Sequence, residues 1–112
     1  MRKIVSYDER NDIFFIHNGF LKGEKFYGNE MIGDLVLDVS TKRRIVGIEI
    51  LNATRYLKPF GITEEILTAL TDAHLEATLT HDSATLSLIL KTKNKEIPVK
   101  IAVALETPIP VF

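Results

Sequence analysis

Asp34-Leu35-Val36-Leu37-Asp38-Val39, Ser40-Thr41-Lys42-Arg43-Arg44 and Ile45-Val46-Gly47-Ile48-Glu49-Ile50-Leu51 follow one another without a break. Two apolar, β-favouring runs flank a polar turn, so the stretch reads as a β-hairpin. With a four-residue loop, Ser40 to Arg43, Val39 faces Arg44, Leu37 faces Val46 and Leu35 faces Ile48. One face is then almost wholly apolar, and Ile50 continues it. The other face carries Asp34, Val36, Asp38, Ile45, Gly47 and Glu49. A one-residue slip would set Glu49 beside Leu35 and Leu37, so burial favours the first register. Neither Lys42 nor Arg43 suits a positive φ, which argues against a two-residue turn. Gly47 is unfavourable inside a strand and marks a bulge or a close approach. An aromatic ring, Tyr7 or Phe14, is expected to cover it.

Upstream, Ile4 to Tyr7 and Ile13 to Ile16 form two short apolar runs around the turn residues Asp8 to Asp12, a second hairpin. Asn18-Gly19 is a further turn signal. Residues 20 to 33 hold Gly23, Gly28 and Gly33 with no clean period. They read as an irregular connection, with at most a short strand near Lys25 to Tyr27. Downstream, Thr63 is a competent N-cap, and Glu64 and Glu65 follow where the helix dipole favours anions. Ile66, Leu67 and Leu70 share a face, so residues 64–70 read as a short amphipathic helix. Beyond it, period-two alternation runs through Leu75, Ala77, Leu79, then Leu86, Leu88, Leu90, then Ile97, Val99, Ile101, Val103, Leu105. Polar turns at His81-Asp82-Ser83 and Lys93-Asn94-Lys95 separate the three strands. Pro98 places part of the last strand at an edge or bulge.

The fold class expected is α+β, mostly β. Two small antiparallel sheets, the N-terminal hairpins and a C-terminal three-stranded meander, pack on each other with the helix closing one end. At 112 residues the chain suits a single domain, 1–112. Within it, 4–54 is the first β region, 55–71 a short helical connection, 73–105 the meander and 106–112 an extended tail.

Composition narrows the function classes. A net charge of −1 lacks the basic excess of a typical nucleic-acid binder. With no cysteine there is no disulfide, no thiolate catalysis and no Cys-based zinc site. The start has no signal-peptide pattern and no apolar run approaches a membrane span. A soluble, cytoplasmic protein with no membrane partner is the expectation.

Side chains with chemical potential are few. Asp8, Asp12, Asp38 and Glu49 could be grouped as carboxylates for a hard cation. Asp8 and Asp12 flank a turn, and bonds to its backbone N–H groups explain them better. Asp38 and Glu49 oppose β propensity, and pairing with Arg43, Arg44 or Arg55 accounts for them better than catalysis. His17, His74 and His81 lack metal-ligand spacing, and no HExxH, phosphate loop or nucleophile elbow is present. His81-Asp82-Ser83 holds triad residue types, but neighbours in sequence do not converge on one atom. Lys42-Arg43-Arg44 is a solvated basic tip. The candidate functional cluster is therefore Asp8, Asp12, His17, Asp38, Glu49 and Arg55. In the tail, Ile109, Val111 and Phe112 are a candidate interface. Docking along the same chain and addition to a neighbouring one both stay open.

The N-terminal half resembles a family of very small proteins catalogued as domain of unknown function 2283. The residues that carry the resemblance are Tyr7, Asp8 and Asp12, the run Ile13 to Ile16, Asp38, and Val46-Gly47-Ile48-Glu49-Ile50-Leu51 followed by Asn52-Ala53. It covers about residues 4–54. The family often has Gly where Arg43 stands, which implies a bulged three-residue loop and the one-residue slip that burial disfavours. The family has no established activity, and some members are suspected antitoxins.

The expected function is a non-catalytic protein–protein association module without cofactor or metal, paired as a homodimer or with another small protein. Nucleic acid is not an expected partner. Two alternatives stand beside it. One is a small-molecule or metal-binding protein, or an enzyme, with a site near Asp38 and Glu49. The other, implied only by the resemblance, is an antitoxin-like partner of a small toxin.

Overall fold

The computed structural model describes residues 2–105. Its first hairpin joins β1 (Ile4–Asp8) to β2 (Ile13–His17). The turn between them closes on side chains, since the Asp8 carboxylate accepts from Asn11 N at 3.1 Å and Asn11 Nδ2 at 2.8 Å. β3 (Phe26–Ile32), β4 (Leu35–Ser40) and β5 (Ile45–Ile50) follow, then one turn of helix, α1 (Ala53–Tyr56), and a 3-10 turn at Lys58–Phe60. A second short helix, α2 (Glu64–Thr68), leads into β6 (Leu70–Leu79), β7 (Ser83–Thr92) and β8 (Glu96–Ala104). The strands form two antiparallel sheets, one ordered β1-β2-β5-β4-β3 and one ordered β6-β7-β8.

Both sheets turn one apolar face inward. Phe14, Ile16, Leu35, Leu37, Ile48 and Ile50 come from the five-stranded sheet, and Leu75, Leu86, Leu88, Leu90, Val99 and Ile101 from the three-stranded one. All twelve belong to one buried cluster, with Leu57, Ile62 and Leu67 from the helical connection. Neither face would be stable in water alone, so mutual burial holds the two sheets together. Thr63 caps α2 through its side chain, as its position implies. Pro98 lies on the edge strand β8, opposite Ile89, where its missing N–H costs no ladder bond if turned outward.

The central hairpin departs from the register expected. Leu35 lies opposite Ile50, Leu37 opposite Ile48 and Asp38 opposite Gly47, two residues from the pairing read from burial. Val39 then faces Ile45, which leaves Val46 as an extra residue in a bulge. The turn explains the shift. Arg43 adopts φ 57°, its N–H donates to Ser40 O, and Ser40 N donates to Arg44 O. This is a three-residue loop closed by a left-handed residue, the form the family pattern implied. Leu35, Leu37, Ile48 and Ile50 keep their apolar face because a two-residue shift preserves alternation. Val46 does not; it is buried but stands outside the shared core.

Two further expectations are corrected. Residues 26–32 form a full seven-residue strand rather than part of an irregular connection. It lacks a visible period because it is an edge strand with a bulge between Phe26 and Gly28. The helix ends at Thr68 instead of residue 70, and Leu70 already belongs to β6.

The strained turn is testable. Left-handed backbone costs a non-glycine residue about 1–2 kcal/mol, offset for glycine by up to about 1 kcal/mol of extra unfolded-chain entropy. Arg43→Gly is therefore expected to raise stability by about 0.5–1 kcal/mol in denaturant melts. A loss of stability would show that the side chain's own contacts outweigh the strain.

Candidate functional site

The registers place the outward side chains of the five-stranded sheet in cross-strand rows. One row runs Ile4, His17, Gly47, Asp38, Asn29 across all five strands. The next runs Ser6, Phe15, Glu49, Val36, Met31. Three of the six candidate residues, His17, Asp38 and Glu49, thus share the outer face. His17 and Asp38 flank Gly47, while Glu49 lies one row away.

Gly47 is what lets His17 and Asp38 approach. A Cβ built on it would stand 2.9 Å from His17 Cδ2, 3.0 Å from Ile16 O and 3.1 Å from Asp38 Oδ2. A ring does cover the glycine, as expected, but it is the imidazole of His17 and not Tyr7 or Phe14. Both those aromatics point to the opposite face, since Tyr7 lies opposite Phe14 in the core-facing row. His17 is 4% exposed and Asp38 9%. The His17 Nδ1 accepts from Gly19 N at 2.9 Å, and the Phe20 ring meets the imidazole edge-on at 5.1 Å. Asp38 Oδ1 accepts from Asn29 Nδ2 at 3.1 Å. Burial pushes the Asp38 carboxyl above its ordinary pKa, and the nearby His17 offsets this only in part.

The other three candidates lie elsewhere and hold the fold. Asp12 has φ 54° and accepts from Tyr7 OH at 2.7 Å, Thr54 Oγ1 at 2.6 Å and Thr54 N at 3.1 Å. Its carbonyl also accepts from Ala53 N. The β1–β2 turn thereby caps α1 from outside, work that the helix's own N-cap, Asn52, does not perform with its side chain. Burial would raise the Asp12 carboxyl, but the bonds from Thr54 and Tyr7 outweigh it and hold its pKa below the ordinary value. The Tyr7 hydroxyl is pushed well up, by burial first and by Asp12 second. Asp8 closes the turn described above. Arg55 pairs with Asp34 at 2.9 Å, and Arg44 pairs with Glu24 at 2.7 Å, so these arginines serve neither Asp38 nor Glu49.

The Glu24 cluster was not visible in the sequence. Its buried carboxylate accepts from Ser40 Oγ at 2.6 Å, Leu21 N at 2.9 Å and Arg44 Nη1, and so pins the long β2–β3 connection to the hairpin loop. Nothing local marks Glu24, because its partners lie up to 20 residues away. Among the described residues no group of three His, Cys, Asp or Glu side chains could hold a metal ion. Ile109, Val111 and Phe112 lie outside the described residues.

Two outcomes follow from this geometry. Gly47→Ala is expected to destabilise by about 1–3 kcal/mol, because the new methyl meets a backbone carbonyl that cannot rotate away; a denaturant melt that shows no loss would mean the site is open. Asp38→Asn tests the raised pKa. Between the unfolded and folded pKa values the native state binds more protons at Asp38, so its contribution to stability falls as pH rises through that window. The variant keeps the Asn29 contact and is expected to match or exceed the parent's stability at pH 7, with the parent gaining on it as pH falls towards 4. Urea melts across this range read the difference, and a parallel pH dependence of the two chains would refute the assignment.

No curated protein and no solved structure matches the chain. The outer-face row, the Asp12 tie and the β4–β5 hairpin all fall largely within one matched segment. Residues 4–53 match the model of a family described as protein of unknown function (DUF2283), and this segment of the chain is similar to that family.

Proposed function

We propose that the protein is a non-catalytic association module that pairs with a second copy of itself through the open edge of β3. The observation that carries this reading is the distribution of exposed apolar groups. Seven large hydrophobic side chains are exposed among the described residues, and four of them, Leu21, Phe26, Tyr27 and Met31, fall within eleven residues at this edge. Clustering of that kind marks an interaction surface, whereas scattered exposure needs no explanation.

The backbone supports the same edge. Ser40 N and Asp34 O both bond to the β5 side, so alternate residues of β4 face β5, and Leu35, Leu37 and Val39 face β3. Their partners Ile32, Glu30 and Gly28 spend their groups on β4. Asn29 and Met31 therefore direct their N–H and C=O groups outward. A two-fold axis at Asn29 sets Asn29 against its own copy and Met31 against Tyr27. Glu30 then faces Gly28, so no like charges meet. Asp38 and His17 support the rival small-molecule reading less well, since both are almost wholly covered.

Sedimentation equilibrium across micromolar to millimolar concentration checks this. A dimer is expected, and Met31→Pro should return it to a monomer with an unchanged circular dichroism spectrum, because the lost N–H makes no bond within the sheet. A parent chain that stays monomeric throughout would overturn the reading.

A further inference from the structure

The net charge of −1 hides a separation of charge along the five-stranded sheet. The β1–β2 and β3–β4 turns share one end, because Tyr7, Phe14, Ile50, Leu35 and Ile32 form a cross-strand row beside both. These turns carry Glu9, Asp12 and Asp34, with Arg10 as their one basic residue. The opposite end collects Lys22, Lys25, Lys42, Arg43 and Arg44. Thr41 N donates to Lys25 O at 2.8 Å, Lys25 N to Thr41 Oγ1 at 3.0 Å and Lys42 Nζ to Lys22 O at 3.1 Å. The β2–β3 connection and the β4–β5 loop therefore present one surface.

Nothing on that surface neutralises the lysines. The only acid in the two segments is Glu24, which is buried and answers Arg44. Among the described residues Lys22, Lys25 and Lys42 make no ion pair. The bond from Lys42 goes to a carbonyl and leaves its charge intact. Two aromatic rings stand beside these ammonium groups, Phe26 and Tyr27, each 51% exposed. Consecutive residues of a regular strand point to opposite faces. Here the bulge between Phe26 and Gly28 makes Tyr27 an extra residue, and bulges re-aim side chains.

We propose that this end of the sheet binds single-stranded nucleic acid, with phosphates along Lys22, Lys25 and Lys42 and a base stacked on Phe26. A polyanion answers the uncompensated charge. Open base faces answer the exposed ring, because stacking on aromatic side chains holds single strands without regard to sequence. A duplex keeps its base faces covered, and an acidic peptide brings charge without them. The surface does not need the β3 dimer, since Lys22, Lys42 and Arg43 lie on loops beyond that strand.

Fluorescence anisotropy of a labelled oligouridylate of about twelve nucleotides tests the proposal. The parent should bind with a Kd on the order of 10⁻⁶–10⁻⁴ M at physiological salt. On logarithmic axes the binding constant should fall with salt at a slope of about −2, the value for three phosphates on a single strand. Lys22→Glu with Lys25→Glu should weaken binding by about tenfold or more. Circular dichroism should not change, because neither ammonium makes a bond among the described residues. Phe26→Ala should weaken binding by about fivefold or more, and Phe26→Tyr should keep it. No binding at millimolar protein, or binding that Phe26→Ala leaves unchanged, would overturn the proposal. So would equal binding of labelled polyglutamate, which would assign the surface to an acidic protein, or of a duplex of the same length.

Discussion

A single extra residue, Val46, organises the five-stranded sheet. Because it has no ladder partner, the two halves of the β4–β5 hairpin stay in step on either side of it. Ile45 and Ile48 both reach the core although an unbroken strand would alternate them. The carbonyl of Val46 is not wasted, since Asn18 N donates to it at 2.7 Å and extends the pairing of β2 with β5. The bulge also sets Asp38 beside Gly47. That adjacency leaves space for the imidazole of His17 and lets the row from Ile4 to Asn29 cross the whole sheet.

Buried polar groups elsewhere tie connections to strands. Asp12 joins the first turn to the start of α1, and Glu24 joins the β2–β3 connection to the β4–β5 loop. Each carboxylate collects several donors, which is the condition under which a buried charge can be tolerated. Asp38 is different. One donor meets it, burial raises its pKa, and its neighbour across Gly47 is a histidine. Of the two buried carboxylates among the described residues, Glu24 and Asp38, it has the fewer donors, which makes it a sensitive position for a stability measurement against pH.

The two sheets complete each other's core yet leave strand edges at β1, β3, β6 and β8. These edges are not equivalent. β8 carries Pro98 and Lys100, both of which discourage pairing. β3 is lined by exposed apolar side chains, and β6 is bordered by a groove.

Local alternation was enough to locate β1, β2, the three-stranded meander and the N-cap of α2, because period two and turn chemistry are properties of adjacent residues. The α+β class and the packing of two one-faced sheets follow from the same patterns. The partners of Asp12 and the crowding at Gly47 were only half legible. The sequence marked Asp12 as a turn residue and Gly47 as unfavourable in a strand, yet their neighbours, Thr54 and His17, lie about 42 and 30 positions away. β3 was hidden, since an exposed edge strand needs no alternation to be stable once β4 supplies its hydrogen bonds. The register of the central hairpin depended on one left-handed residue, Arg43, whose side chain gives no local reason to adopt it. Apart from β3, short-range propensity thus determined which segments are strands. Only the tertiary structure decided which strands meet, because pairing energy comes from backbone groups that every residue carries alike and from side-chain contacts across distant parts of the chain.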